Sequence, residues 1–254
     1  MSIYYGEQTR VQLGEFIKKN AVVILPVGTT EEHGLHLPVE TDAIIAEYMG
    51  DELGKACQAA GIPVLVLRTI YYGFSMSIIR NWPGCPNIDD RTFMDYIYSM
   101  INSLIKEGFR RIVILDCHGN HDCLLRTVMR EIADDHNVYI MNLKPMALGG
   151  DVYNKIKKDP EGDIHGGEYE TSCVLHIAPH LVDKSAYTNV DAIRCNTPLR
   201  GPVSTWGLQE TKTGIFGDPT HASAETGKAC LDAAVKEGVR MIKLYCEQFD
   251  GNKK

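Results

Sequence analysis

The sequence predicts an α/β protein, a three-layer α/β/α fold with a mostly parallel sheet. Four short apolar runs alternate with longer segments whose apolar residues recur at helical spacing. The segments between these runs are too long for β-hairpins, so crossover helices must join the strands and cover both faces of the sheet. With 254 residues, 44% of them hydrophobic, the chain can bury one large core. Since no repeat or linker interrupts it, residues 1–254 are predicted to form a single domain.

The first elements are justified by apolar pattern and by helix-ending residues. A short helix over about 9–19 precedes strand one, the uninterrupted apolar run 21–27, which is typical of a buried parallel strand. A helix over 42–60 follows, and Gly61 ends it. Strand two is the apolar run 63–67. The helix is supported by apolar residues at roughly helical spacing, namely Ile44, Ile45, Met49, Leu53 and Cys57.

The middle of the chain begins with a long loop over 71–87 that is rich in aromatic residues, glycine and proline. Loops of this length in compact domains are usually functional or disordered, and the aromatic residues argue against disorder. A helix over 89–107 then ends at Gly108, and strand three is 111–115. This order repeats the strand–helix alternation of the first part of the chain.

The last elements follow the same logic. The helix after strand three carries Leu124, Leu125, Val128, Met129 and Ile132 on one face. The remaining predictions are strand four over 138–141, an irregular stretch over 145–163, a short helix over 168–177, a mostly loop region over 183–219 and a final helix over 223–249.

Composition limits the function classes. The net charge of -7 and a pI near 5.7 argue against nucleic-acid binding, which usually needs a basic patch. No apolar run approaches the roughly 20 residues that a membrane helix requires. Residues 1–27 lack the features of a secretory signal. The eight cysteines include no Cys-x-x-Cys pair, which indicates reduced, buried thiols. We therefore expect a cytoplasmic protein with no nucleic-acid or membrane partner.

The first candidate site lies in the turn over 28–42, between strand one and the next helix. Ligands bind outside the carboxyl ends of strands in open α/β sheets. Glu31, His33 and Asp42 place oxygen and nitrogen donors there, a mixture that suits a divalent metal such as zinc or manganese. Each residue also has a simpler interpretation: Asp42 could cap the helix, Glu31 could be a solvated carboxylate, and His33 and His36 could be ordinary loop histidines.

A second cluster, residues 116–122, follows strand three at the same predicted edge of the sheet. Its His118 is the natural fourth ligand beside the first cluster. The alternative is that Asn120 caps a helix and that His118 and His121 are incidental. Because two donor-rich loops follow two strands, we favour the metal site.

A third cluster spans residues 163–172. Two glycines follow His165 and allow a close approach of the backbone to a ligand or another strand. Glu168 opens a predicted helix, where the dipole stabilises a carboxylate, and it is equally placed to bind a cation. Residues 170–172 are assigned to capping or buried hydrogen bonds at least as readily as to catalysis.

At these clusters the sequence resembles the creatininase (creatinine amidohydrolase) family. The resemblance extends from about residue 20 to residue 230, and it is specific because several motifs occur together. The matching segments are residues 25–38 with Thr41 and Asp42, residues 116–120, residues 165–172, and residues 217–219 with 222–225.

The resemblance implies a two-metal site, hydrolysis of a non-peptide C–N bond, and a homo-oligomer, commonly a hexamer. By position, Glu31 and His118 would hold one metal, His33 would hold the other, and Asp42 would bridge them. The expected cofactors are two divalent cations, with zinc first and manganese or iron as alternatives. A metal-bound hydroxide would attack the carbonyl of a cyclic or linear amide, a lactam or a formamide.

Three departures from the creatinine-cleaving members concern the substrate. Those members have a further glutamate where this chain has Asn120, and Glu168 is our candidate to replace it. They have a catalytic glutamate where this chain has Ile164. Their substrate-covering tryptophans are not evident, because only Trp82 and Trp206 occur here. Creatinine itself is therefore not the expected small-molecule substrate.

The remaining candidates surround this chemistry. His165 is predicted to be catalytic and to carry a proton to the leaving nitrogen, since an imidazole titrates near neutral pH. His36, Asn120 and His121 are predicted to orient the metal ligands. Loop packing is an equal alternative for His36.

Aromatic residues of the long loop are the candidates for substrate contact. Tyr72 and Trp82 are predicted to line the substrate pocket, together with Phe74. Packing in the core or at an interface explains these side chains about as well.

Two other function classes compete with the hydrolase. A non-catalytic metal-binding or scaffold protein of the same fold is favoured by Ile164, but the complete set of candidate ligands argues against it. A nucleotide-binding domain is disfavoured because no Gly-x-Gly-x-x-Gly follows strand one and no Gly-Lys-Ser/Thr phosphate loop occurs.

Overall fold

A computed structural model of the chain describes residues 2–80, 82–159, 165–188 and 210–249. Its sheet is fully parallel and has the strand order β2-β1-β3-β4. The strands are β1 (Val22–Val27), β2 (Val64–Val66), β3 (Arg111–Asp116) and β4 (Met141–Leu143). Because the strands are parallel, their carboxyl ends lie at one edge. The predicted fold class is confirmed.

Helices join and cover the strands. In the described part of the chain the α-helices are α1 (Arg10–Lys18), α2 (Thr41–Ala59), α3 (Ser77–Arg80), α4 (Asp90–Glu107), α5 (Asp122–His136), α6 (Pro145–Leu148), α7 (Gly150–Ile156), α8 (Glu168–Ile177) and α9 (Ala224–Gln248). Among these described helices, none combines the length and the apolar character needed to span a bilayer.

The core has two halves, one on each face of the sheet. Along β1, Val22 and Ile24 pack into the half formed with α2, α7, α8 and α9. Val23 and Leu25 alternate with them and pack into the half formed with α1, α4 and α5. This period of two is the normal geometry of a strand covered on both faces. Each buried aliphatic side chain contributes roughly 1.5–3 kcal/mol through removal from water.

Local signals fix several helix ends. Thr9 and Gln12 form a capping box at the start of α1, and the Asp89 side chain accepts a hydrogen bond from the Thr92 N–H at the start of α4. Gly108 ends α4 in the left-handed conformation, with φ of 115°. These residues lie within one or two positions of the predicted ends.

The structure corrects the prediction that 145–163 is irregular. Two helices, α6 and α7, form there. Pro145 has the backbone angle that suits the first turn of a helix, and the buried Tyr153 ring packs edge-on against Tyr169 at 5.3 Å. The short helix α3 likewise forms within the predicted long loop. Residues 160–164, including Ile164, and residues 189–209, including Trp206, lie outside the described residues.

Strand four is also displaced. It covers Met141–Leu143 rather than 138–141, because ladder pairing with β3 begins at Val113 and Met141. Val138 and Ile140 are buried, as an apolar run predicts, but they pack before the ladder starts. The seven cysteines that the structure describes form no disulfide with one another.

The strand ends bring the two N-terminal clusters together. β1 pairs with β3 over their full lengths, and Val27 lies opposite Asp116. At Gly28 a Cβ atom would lie 2.6 Å from the Ala43 backbone. Only glycine therefore allows the start of α2 to pack so closely on the end of β1, and this packing sets Asp42 at the edge of the sheet.

Candidate metal centre and active site

Side chains from two strand-end loops meet at the carboxyl edge of the sheet. The Nδ1 atom of His118, after β3, lies 2.8 Å from Asp42 Oδ2 and 3.4 Å from Glu31 Oε1. The Nε2 atom of His33 lies 3.3 Å from Asp42 Oδ1. The two oxygens of Asp42 thus face different histidines. The structure brings together all four residues that the first two sequence clusters nominated.

The third cluster adds two further side chains. His165 Nδ1 lies 3.6 Å from Glu31 Oε1, and its ring lies 4.3 Å from the ring of His33. Glu170 Oε2 lies 3.8 Å from His33 Nε2. We call these residues the donor cluster: Glu31, His33, Asp42, His118, His165 and Glu170. Within it, three groups of three residues have donor atoms close enough to hold a cation, namely Glu31 with His33 and His165, Glu31 with Asp42 and His118, and His33 with Asp42 and Glu170.

Five of the six residues of the donor cluster are buried, Glu170 is partly exposed, and the hydrogen bonds of the cluster are incomplete. Both carboxylate oxygens of Glu31, the Nε2 of His33 and the Nε2 of His118 are buried without a hydrogen-bond partner. Buried polar atoms normally have partners, and an unpartnered buried charge is costly. Oxygen and imidazole nitrogen atoms of this kind match the ligands of divalent zinc or manganese. The residues present therefore fit the metal site that the resemblance implies.

Backbone carbonyls orient two of the histidines. His33 Nδ1 lies 3.0 Å from the Glu31 carbonyl oxygen, and His165 Nε2 lies 2.7 Å from the Glu32 carbonyl oxygen. A carbonyl oxygen only accepts, so these nitrogens carry the hydrogen. In the neutral rings the other nitrogens, His33 Nε2 and His165 Nδ1, are then left as acceptors that face the donor cluster. This is the usual arrangement of metal-ligating histidines.

Electrostatics in the metal-free protein reflect the crowded carboxylates. Burial alone lowers the pKa of His118, but Glu31 and Asp42 outweigh it and raise that pKa to about 9. Burial also opposes protonation of His33, yet the neighbouring carboxylates, Asp42 first, hold its pKa well above the ordinary value. Burial raises the pKa of Asp42, and the two histidines more than reverse this, so it is lowered. In the metal-free protein, protons on the histidines therefore occupy positions that a cation can take.

His121 lies behind the donor cluster. Its Nδ1 lies 3.2 Å from Asp116 Oδ1, and its Nε2 accepts a hydrogen bond of 3.1 Å from the Phe74 N–H. Its ring stacks on Phe93 at 4.2 Å and meets the His118 ring edge-on at 4.6 Å. Burial lowers its pKa. His121 therefore contacts His118 from behind the donor cluster, and its orienting role stays a prediction.

The other two predicted orienting residues occupy different positions. His36 is buried, its Nε2 lies 2.8 Å from Thr171 Oγ1, and burial with the charge of His33 lowers its pKa to about 4. It connects the first loop to α8. Asn120 belongs to a short 3-10 helix over Gly119–His121 and lines a cavity beside the donor cluster.

The structure does not bring Glu168 into the donor cluster. Its Oε2 accepts hydrogen bonds of 2.8 Å from the N–H groups of Lys158 and Asp159. Glu170 takes the position that was predicted for Glu168. Residues two apart on a helix point roughly 200° away from each other, so only one of the two can face the cluster. Both glutamates are evident in the sequence, but the sequence does not indicate how α8 is rotated about its axis and therefore which of them faces the donor cluster.

Two cavities adjoin the donor cluster. One, of about 150 Å³, is bounded by Glu31, His165, Glu170 and Ile79 of α3 among others. The other, of about 290 Å³, is bounded by His118, Lys144 and Glu170 among others. Tyr72 is 52% exposed and Trp82 is partly buried beside α3, and neither lines these cavities. The sequence missed Ile79, because it predicted the whole segment as loop.

Comparison with known proteins gives one family. The family model described as creatinine amidohydrolase matches residues 6–242. The 3-dehydro-scyllo-inosose hydrolase of Thermotoga maritima is 24% identical and covers 99% of this chain and 86% of its own. The mycofactocin precursor peptide peptidase of Mycobacterium tuberculosis is 29% identical, with coverages of 90% and 87%. The creatinine amidohydrolase of Pseudomonas putida is 26% identical, with coverages of 92% and 94%.

Solved structures agree in fold. A creatininase described with Mn superposes with a TM-score of 0.79 at 23% identity, over 98% of this chain and 99% of the other. A creatininase mutant described as Zn–Zn type gives 0.78 at 22% identity over the same shares. Since the family model matches nearly the whole chain, the chain belongs to the creatininase (creatinine amidohydrolase) family and is an enzyme of this family of metal-dependent amidohydrolases.

Proposed function

We propose that the chain hydrolyses a non-peptide C–N bond in a cyclic or linear amide, a lactam or a formamide, with two divalent cations held by the donor cluster. One observation carries the proposal. Carboxylate and imidazole atoms from three distant parts of the chain converge in a buried site with hydrogen-bonding capacity left open. A merely structural cluster of this size would be expected to satisfy its own hydrogen bonds.

The geometry supports a division of the ligands. Glu31 and His118 would hold one cation, as predicted from sequence. His33 would hold the other, with Glu170 in place of Glu168. Asp42 would serve both cations, because its two oxygens face His33 and His118 separately. Zinc is the first candidate, with manganese and iron as alternatives, and relatives of the same fold are described with Mn and with Zn–Zn.

Bound divalent cations would supply an activated water and polarise the scissile carbonyl. The residues around them would do the rest. His165, fixed by the Glu32 carbonyl, presents Nδ1 to the reacting centre, where it would take the proton that the attacking water loses and pass it to the departing nitrogen. Water adds to the carbonyl carbon, the C–N bond breaks, and a carboxylic acid and an amine result. His121 and Asn120 would keep His118 and the cavity wall in place.

The family membership does not fix the substrate. The relatives named above act on an inosose, a precursor peptide and creatinine, according to their names. The departures at Asn120 and Ile164 argue against creatinine for this chain. The homo-oligomer, the hexamer that the resemblance implies, and the cytoplasmic location stay predictions.

The test is metal analysis combined with activity. Purified protein should hold about two divalent metal ions per chain, and a panel of amides, lactams and formamides with added zinc, manganese or iron should include a hydrolysed compound. Full-rate hydrolysis by the metal-free protein would contradict the mechanism. Tight metal binding without hydrolysis across the panel would contradict the proposed substrate class.

A further inference from the structure

A cavity of about 290 Å³ lies next to the donor cluster and shares His118 and Glu170 with it. This volume equals that of about ten water molecules, which is enough for a small organic group. One wall is apolar and includes Ile45, Pro145 and Met146. The cavity is therefore placed to receive the part of a substrate that extends beyond the scissile bond.

Lys144 is the distinctive polar residue of this cavity. It follows β4 directly and so stands at the same edge of the sheet as the donor cluster. Among the described residues that line the two cavities, it alone has a lysine or arginine side chain. Its side chain is 27% exposed, so the ammonium group is partly withdrawn from water. A partly desolvated ammonium group attracts an anion more strongly than one in bulk water.

Two carboxylates, those of Asp116 and Asp122, lie near the Lys144 ammonium group, and each also has a second partner. Asp116 Oδ2 lies 3.4 Å from the Lys144 Nζ atom, while Asp116 Oδ1 lies 3.2 Å from His121 Nδ1. Asp122 Oδ1 lies 3.3 Å from the same Nζ, while Asp122 Oδ2 accepts a 2.8 Å hydrogen bond from Arg126. An ammonium group has three donors, and two carboxylates leave one for a ligand.

We infer that this cavity selects amide substrates that carry a carboxylate, and that Lys144 binds this carboxylate while the amide reacts at the donor cluster. The inference rests on the proposed function and specifies its substrate class. The apolar wall would pack on the carbon skeleton between the two ends of the substrate. Substrates with a neutral group at the same position would lack the charge-assisted hydrogen bond.

The test measures binding to the metal-loaded protein by calorimetry, with two probes of equal size: N-acetylglycine, which carries a carboxylate, and N-acetylglycinamide, which is neutral. We expect the wild type to bind the carboxylate roughly tenfold or more tightly. Lys144→Met should remove most of this preference and Lys144→Arg should retain it. Lys106→Met, an exposed lysine at the end of α4, is the matched control and should behave as wild type.

A second variant tests the inference independently in case Lys144→Met does not fold. Met146 is 40% exposed, so Met146→Glu should be tolerated. It adds a negative charge to the cavity wall and should weaken binding of the carboxylate probe more than binding of the neutral probe. The inference is overturned if the wild type shows no preference. It is also overturned if metal-loaded Lys144→Met keeps the full preference, because the metals would then hold the carboxylate. If the wild-type protein bound no divalent metal, that result would instead refute the proposed function.

Discussion

Two histidine–aspartate groupings lie side by side at the carboxyl edge of the sheet, and they differ in one respect. His121 uses both ring nitrogens, one toward Asp116 Oδ1 and one toward the Phe74 N–H, while Asp116 Oδ2 lies 3.4 Å from the Lys144 Nζ atom. Asp42, with His33 and His118, leaves buried donor atoms without partners. Burial lowers the pKa of His121 although Asp116 opposes it, whereas the carboxylates around His33 and His118 outweigh burial and raise the pKa of both.

The comparison shows that residue types alone do not distinguish a ligand from a supporting residue. A buried histidine with both nitrogens used is stabilised as a neutral ring and supports its neighbours. A histidine among several carboxylates, with one nitrogen left open, takes up a proton or a cation. The five predictions below test this difference between the two groupings.

The largest effect is expected at Asp42. Asp42→Ala removes a side chain whose two oxygens face His33 and His118 separately, so both metals should be lost and hydrolysis should fall roughly a thousandfold or more. Elemental analysis and activity measure this. Asp116→Asn, in the neighbouring grouping, should keep both metals. If Asp42→Ala still bound two metals tightly, the proposed difference between the Asp42 and Asp116 groupings would be contradicted.

A second comparison uses the two glutamates of α8. Glu170→Gln should lose one metal and roughly a hundredfold in activity, since it removes a charged ligand. Glu168→Gln should keep both metals but unfold more easily by about 1–3 kcal/mol, because the N–H groups of Lys158 and Asp159 lose a charged acceptor. Metal content and denaturant unfolding separate the two. The reverse pattern would restore Glu168 as the ligand.

Next come the two histidines of the second loop. His118→Ala should lose one metal with the fold intact. His121→Ala should keep the ligands but weaken metal affinity roughly ten- to a hundredfold, because the His118 ring loses its support. It should also destabilise the protein by about 2–4 kcal/mol through the cavity at Phe93 and the unpartnered Phe74 N–H. Equal metal affinities of wild type and His121→Ala would show that His121 has no orienting role.

The smallest effect is a pH dependence. The pKa of His118 is raised to about 9 in the metal-free protein, so a metal must displace its proton below that pH. Apparent metal affinity should therefore rise with pH up to about 9, by about tenfold per unit for each displaced proton, and calorimetry in buffers of different ionisation heat should detect the released protons. A pH-independent affinity would contradict this.

The same raised pKa sets the sign of a stability effect. Protonated His118 stabilises the metal-free fold fully below its ordinary pKa of about 6.5, and this contribution disappears as pH rises through about 9. Chelated protein should thus lose stability between these values, and metal-loaded protein should lose less. Thermal unfolding with and without chelator measures the difference.

The strands and most helices could be predicted because their apolar periodicity and caps are local. Val22–Val27 and Arg111–Asp116 are visible as apolar runs, and Asp89 and Gly108 mark the ends of α4. The wrong predictions, of strand four and of the irregular stretch, concern segments whose structure depends on packing against distant residues. Val138 and Ile140 are as apolar as strand residues but pack before the ladder begins, and Tyr153 stabilises a helix through contact with a distant ring.

For the site, the sequence by itself determined the donors of the first two loops, since parallel strands must end at one edge and Glu31, Asp42 and His118 follow their ends. Only the tertiary structure decided which glutamate of α8 joins them and that Lys144 borders the same site. The physical reason is that the rotation of a helix and the partners of a buried atom depend on residues far away in the chain, which no local pattern records.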